Sequence, residues 1–416
     1  MTTTYRTAAL LAAGTLTALL AAPAAAAQPR DDGPALDGSG ECTFPMKKQI
    51  EGVPWPLQRV ILDELWQDTK GKGVRVAVID TGVDDVNPQL SKVVDAKAGR
   101  DYLKPDPKNP SFGDEKRGKT DGTVDEVGHG TKVAGIIAAK PAKGTGFVGL
   151  APEATIIPIR QNDEKNSGKS DTMAQAIDYA VKAGAKVINI SQDTTQPMSP
   201  DSPMGRSVAA AIKNDVVIVA SAGNDGADGE NKLTYPAAFP GVLAVASSDR
   251  NNERAAFSQS GPMVGVAAPG VDIVSTVPGG GQCVDNGTSF SAPYVAGVAT
   301  LLRAKYPEWT AAQIVTRIEQ TAVRSINGRD DHVGWGVVDP VKALADQPGT
   351  PASTPVADPA RPSRRPRTGR ADAGGDPQER SERLATYALG IGGVLVAVVA
   401  GTATVIRDSR RGKEAR

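Results

Sequence analysis

The sequence predicts a doubly wound α/β fold for its middle, a mainly parallel sheet covered by helices on both faces. Three observations lead there. Between Gly73 and Ala345, short runs rich in Val and Ile alternate with Ala-rich helical patterns. The Val/Ile runs are continuously apolar, as strands buried on both faces must be, and no repeat period is visible.

The strands are read, in order, at Val74 to Ile79 (VRVAVI), Thr155 to Ile159, Val187 to Ile190, Val216 to Ala220 and Val242 to Ala246. Helices fit between and after them. Ser170 can cap a helix that runs to Ala183 and ends at Gly184, and Arg206 to Asn214 makes the next crossover. Ser289 to Arg303 and Ala311 to Ala322 read as the late helices, the second opened by Thr310 with Gln313 three residues on, a capping-box pattern. Gly99 to Glu126, crowded with Gly, Pro, Asp and Lys, reads as a long surface loop.

Both ends of the chain are appendages. Residues 1–27 carry Arg6, an Ala/Leu-rich run and then small residues up to Ala27, the layout of a secretory signal peptide cleaved near Gln28. Residues 28–72 form an N-terminal extension, 73–345 the folded domain, and 346–383 a Pro/Arg-rich linker too poor in apolar residues to fold. Leu384 to Ile406 is a run of 23 uncharged residues, long enough for a transmembrane helix. The tail 407–416 has five basic residues against two acidic, which the positive-inside rule keeps in the cytoplasm. The expected topology is therefore a single-pass cell-membrane protein whose residues 28–383 are extracellular.

Net charge is zero from 47 basic and 47 acidic residues, so no overall field draws the chain to nucleic acid. The cluster Arg361, Arg364, Arg365, Arg367 and Arg370 is read as a solvated linker or a lipid-headgroup contact. Two cysteines, Cys42 and Cys283, in an exported chain predict one disulfide. No His/Cys cluster has metal-ligand spacing, and the acidic loop Asp225 to Asn231 is only a weak calcium pattern, so no cofactor is expected.

Chemistry is sought first at histidine, because the chain has only His129 and His332. His129 sits between Gly128 and Gly130, which leave its ring accessible at a helix start; His332, in Arg329-Asp330-Asp331-His332, reads as a solvated loop residue. Asp80 ends the first apolar strand, and the carboxyl ends of strands are where sites form in open parallel sheets. Ser289 opens an Ala/Val-rich helix after Asn286-Gly287-Thr288, with its own N–H where an oxyanion could be held. Asn224 lies just past the strand end in Val219-Ala220-Ser221-Ala222-Gly223-Asn224, where its amide could donate to the same oxyanion. Each residue alone also has a plain structural reading, as a cap or turn former.

Taken in order, VAVIDTGVD, GHGTKVAGI, VINIS, ASAGND and GTSFSAPYVAG resemble the motif set of the subtilisin-like (S8) serine proteases, over roughly Gly73 to Ala345. The resemblance implies Asp80 as orienter, His129 as general base and acid, Ser289 as nucleophile, and Asn224 with the Ser289 amide as oxyanion hole. It also implies substrate binding by Ser191, Gln192 and Asp193 on one side and Ser221, Ala222 and Gly223 on the other. Gln192 and Asp193 depart from the Ser-Leu-Gly type segment usual in the family and make that wall more polar. The stretch QIEGVPWPLQRVILDELWQDTKGKG, with the predicted signal peptide, linker and anchor, is similar to the mycosins, membrane-anchored subtilisin-like proteases of type VII secretion systems. That narrower resemblance implies cleavage of secreted protein substrates and contact with subunits of a membrane secretion complex. An interaction subunit with slow or dispensable proteolysis is the alternative. Mycosins commonly hold further cysteines near the substrate strand, and this chain has none there.

Overall fold

A computed structural model describes residues 42–46, 49–103, 119–163, 168–346, 349 and 351–352. All belong to the first of the two units into which the chain divides, Met1–Ala357. The predicted signal peptide, apolar span, cytoplasmic tail and nearly all of the Pro/Arg-rich linker lie outside the described residues. Among the described residues, no helix is long and apolar enough to cross a membrane.

Seven parallel strands form the main sheet: β1 (Arg75–Asp80), β2 (Arg100–Asp101), β3 (Thr155–Arg160), β4 (Val187–Ile190), β5 (Val217–Ser221), β6 (Leu243–Ser248) and β7 (Val264–Pro269). Their order is β2-β3-β1-β4-β5-β6-β7. From β1 the chain therefore builds one flank through β3 and the other through β4, and the direction of winding reverses beside β1. In open α/β sheets such a reversal opens a crevice at the carboxyl ends of the strands.

The five predicted strands are present, Val187–Ile190 with the predicted bounds and the others within two residues of theirs, and the period of two sorts their side chains onto two faces. Val76, Val78, Ile156, Val187, Val217 and Val219 pack with Val133, Ile137, Val295 and Leu302. Those partners come from α3 (His129–Ala138) and α6 (Thr288–Lys305), which follow α1 (Trp55–Gln58) and α2 (Leu62–Leu65) and flank two crossover helices. On the opposite face Ala77, Ile79, Ile157, Ile188, Ile190 and Ile218 pack with Met173, Ile177, Met204 and Val208. These last belong to α4 (Ser170–Lys182) and α5 (Pro203–Lys213). Helices thus cover both faces, as the continuous apolar runs require.

Thr310 and Gln313 form the expected capping box ahead of α7 (Ala311–Thr321), and α8 (Pro340–Leu344) closes the domain. Ser170 does not cap α4: the cap position is Lys169, whose backbone N–H donates to the Thr172 hydroxyl at 3.0 Å, so the helix begins one residue earlier in effect. The segment Gly99 to Glu126 begins with the two-residue strand β2 and is not loop throughout. An antiparallel pair, β8 (Ile273–Thr276) and β9 (Gln282–Asp285), was not foreseen; it leads directly into α6.

The described residues of the N-terminal extension fold onto this domain. The Trp55 indole donates to the Val271 carbonyl and the Trp66 indole to the Leu150 carbonyl, both at 2.8 Å. Cys42 and Cys283 form a disulfide across 241 positions of sequence. Ile188 in β4 has no exposed surface. Its replacement by Ala should lower unfolding free energy by about 2–5 kcal/mol, read as a fall in the denaturant midpoint with unchanged slope.

Candidate active site

Asp80, the last residue of β1, has no solvent exposure. One of its carboxylate oxygens, Oδ1, accepts from the Thr81 backbone N–H at 2.8 Å and faces His129 Nδ1 at 2.7 Å. A bond to Nδ1 selects the tautomer in which Nε2 is the free base, which is the arrangement a proton acceptor needs. The His129 side chain remains 26% exposed, and its ring lies against Phe290 with centroids 5.3 Å apart.

Close approach of α3 to β1 makes this pair, and it depends on a residue without a side chain. A Cβ on Gly130 would stand 2.0 Å from the Gly82 carbonyl oxygen and 3.0 Å from the Asp80 Cβ. Holding the helix start there is Asp125, a buried residue of the Gly/Asp-rich loop that sequence reasoning passed over. Its Oδ1 accepts from the Thr81 hydroxyl and the Gly128 N–H, and its Oδ2 from the Thr131 N–H and hydroxyl, at 2.6–2.8 Å. The Thr81 hydroxyl in turn accepts from the Gly130 N–H at 2.9 Å. Burial raises the pKa of Asp125 despite the bonds from Thr131 and Thr81, and the charge of Asp80 adds to the rise.

For His129, burial disfavours the imidazolium, but the charge and hydrogen bond of Asp80, helped by Asp125, outweigh it and set the pKa above 6.5. A raised histidine pKa stabilises the fold fully below the unfolded value, and that contribution is lost as pH rises through the folded one.

Ser289 is the second residue of α6. Pro293, four residues on, has no N–H to give to the Ser289 carbonyl. That carbonyl is taken instead by the Ser191 hydroxyl at 2.9 Å, while the Ser289 hydroxyl donates to the Ser191 carbonyl at 3.2 Å. Asn189 steadies the arrangement by donating to Ser191 Oγ at 2.9 Å. The end of β4 is thus clasped to the start of α6 by two reciprocal bonds. Among the described residues, no hydrogen bond joins the Ser289 hydroxyl to His129.

Asn224 follows β5 and is exposed. Its Oδ1 accepts from the Thr288 N–H at 2.9 Å and the Thr288 hydroxyl at 3.0 Å, so its NH2 group is the one left to donate. The buried Thr288 also accepts from the Gly223 N–H at 3.2 Å. Thr288 therefore fixes the orientation of Asn224, a role no sequence signal marked. His332 is exposed and outside this cluster, as expected.

Of the expected groove residues, Gln192 and Asp193 line a cavity of about 780 Å³ beside the β4 end, with Gln161, Lys169, Met173 and Tyr235. Gln161 donates to the Gln192 side-chain oxygen across it. Asp193 is raised to about 6, because the surrounding wall withdraws water from its carboxylate and Asp225 repels its charge. Ser221 ends β5, and Ala222 is buried behind it with its carbonyl accepting from Thr234 at 2.8 Å.

With only two histidines in the chain, carbon-13 labelling resolves His129 from His332 directly. The His129 midpoint should lie above 6.5, and Asp80→Asn should lower it. Gly130→Ala, by forcing α3 off β1, should lower it as well and leave His332 unmoved; a midpoint unchanged in both variants would refute this account of the pair.

A model described as the Peptidase S8 subtilase family matches residues 71–336. Mycosin-4 of Mycobacterium tuberculosis (strain ATCC 25618 / H37Rv) is 38% identical over 392 residues, covering 85% of this chain and 81% of the relative. Subtilisin E of Bacillus subtilis (strain 168) is 34% identical over 302 residues, 71% of this chain and 72% of the relative. Among solved structures, MycP3 protease from the type VII (ESX-3) secretion system aligns with a TM-score of 0.61 at 35% identity, covering 71% of this chain and 88% of that one. MycP1 with its N-terminal propeptide removed aligns at 0.63 and 33% identity, covering 73% and 100%.

Proposed function

Since the chain belongs to the subtilase family of serine peptidases, we propose that it is a membrane-anchored extracellular endopeptidase of the mycosin type, working through Asp80, His129 and Ser289 on secreted proteins. The observation that carries this reading is the 2.7 Å contact from His129 Nδ1 to the buried Asp80, with the His129 ring against Phe290 and Asn224 bonded to Thr288, the two neighbours of Ser289. In the proposed reaction the Ser289 hydroxyl leaves the Ser191 carbonyl, gives its proton to His129 Nε2 and attacks the peptide carbonyl. Asp80 stabilises the imidazolium formed at that moment.

Charge developing on the carbonyl oxygen is met by the Asn224 NH2 group and by the Ser289 N–H, a first-turn donor of α6 that has no intrahelical acceptor. His129 then protonates the leaving amine, and water releases the acyl group from Ser289 by the reverse sequence. The extended substrate lies between Ser191, Gln192 and Asp193 on one side and Ser221, Ala222 and Gly223 on the other.

Export and anchoring are supported by the signal-peptide layout of residues 1–27 and the uncharged run 384–406. Participation in a type VII secretion complex is supported by the mycosin relatives and by the MycP3 structure. A second reading, an interaction subunit with slow proteolysis, draws on the Ser289 hydroxyl resting on Ser191 instead of His129.

Labelling of the full-length chain with a fluorophosphonate separates the two readings. The parent should gain one adduct by intact mass and Ser289→Ala none; a folded parent that takes no label favours the interaction subunit. Asn224→Ala should lower kcat by about 10²–10³-fold with little change in KM, a magnitude measured for one oxyanion donor in a subtilisin and carried over here.

A further inference from the structure

The groove wall at the end of β4 carries a charge that faces the opposite wall. A Cβ on Gly223 would stand 3.1 Å from Asp193 Oδ2. The carboxylate of Asp193 therefore reaches across from the Ser191–Asp193 side and ends against the part of the Ser221–Gly223 side that has no side chain. It is solvent-accessible. Among the described residues, no cation pairs with it: the ion pairs nearest in sequence use other carboxylates, and Lys169, which lines the same cavity with Asp171, forms none with it. Asp225, directly after Asn224, adds a second negative charge close enough to repel the first.

Two carboxylates close enough to repel each other favour a positive group in the slot beside them. An aliphatic or aromatic side chain in the same slot would strip water from Asp193 and return no partner, which is a penalty against that substrate. We propose that Asp193, backed by Asp225, is the specificity-determining residue of this peptidase and selects lysine or arginine immediately before the scissile bond. The inference rests on the groove assignment made above. At neutral pH the carboxylate is mostly ionised, since its pKa of about 6 lies below 7.

The test is a fluorogenic peptide series on the full-length chain, varying only the residue before the scissile bond, run beside fluorophosphonate labelling of the same preparation. Arginine and lysine peptides should exceed leucine and phenylalanine peptides in kcat/KM by about 10- to 100-fold, the span of one or two charge-assisted contacts. Asp193→Asn, which keeps the shape, should erase most of that ratio, and Asp225→Asn should reduce it. A labelled parent that prefers leucine, phenylalanine or alanine overturns the proposal, as does an Asp193→Asn variant that keeps the basic preference. A gain in large apolar residues with Asp193→Gly but not with Asp193→Asn would mean that Asp193 acts by bulk, and would overturn it too. A parent that takes no label sinks the nucleophile assignment, and the specificity inference falls with it.

Discussion

A carboxylate placed at the end of a strand with no access to water has to find donors within the protein, and most of the site follows from how Asp80 finds them. One donor is local, the Thr81 N–H; the other is the ring of His129, brought in by a separate helix. For the ring to arrive, α3 must start almost in contact with the β1 end, which only a glycine at position 130 permits. The threonines at 81 and 131 then tie both elements to Asp125, so that strand end, loop and helix start form one hydrogen-bonded block.

The other half of the crevice is built by a different device. A proline inside α6 frees a carbonyl, and the freed carbonyl becomes the attachment point for Ser191. At the same helix start, Thr288 holds Asn224 by its oxygen and leaves its NH2 group to donate. Both contacts use residues adjacent to Ser289 or Ser289 itself, so the nucleophile is positioned by backbone chemistry on two sides.

How much of this could be read beforehand depended on whether a residue's partners were near it in sequence. Strands buried on both faces announce themselves as unbroken apolar runs, and β1, β3, β4, β5 and β6 were legible for that reason. Strand β7 was not: it contains Gly265, ends in Pro269 and lies at the sheet edge, where the pattern weakens. The β8/β9 pair was hidden by its small polar residues and three-glycine turn. Asp80, His129, Asn224 and Ser289 stood out through their flanking motifs. Asp125 and Thr288 did not, because nothing local distinguishes one aspartate in an Asp/Gly-rich loop, or one threonine in a turn, until the fold brings their partners to them. The closeness of Asp193 to Gly223 was likewise out of reach, since 30 positions of sequence separate them.

The disulfide between Cys42 and Cys283 sets an order of events. The segment it fastens lies beside the start of α3 and the β8/β9 turn: a Cβ on Gly128 would collide with the Phe44 ring, and Met46 N–H donates to the Gly280 carbonyl at 3.1 Å. Cys42 is synthesised 241 residues ahead of its partner, and at about 5–20 residues per second that is a wait of roughly ten to fifty seconds. Cys283 precedes Ser289 by six residues. The earliest of the described residues are thus held by a bond that cannot form until Cys283 has been made, and by then Asp80 and His129 have long since been synthesised and Ser289 follows within a second or so.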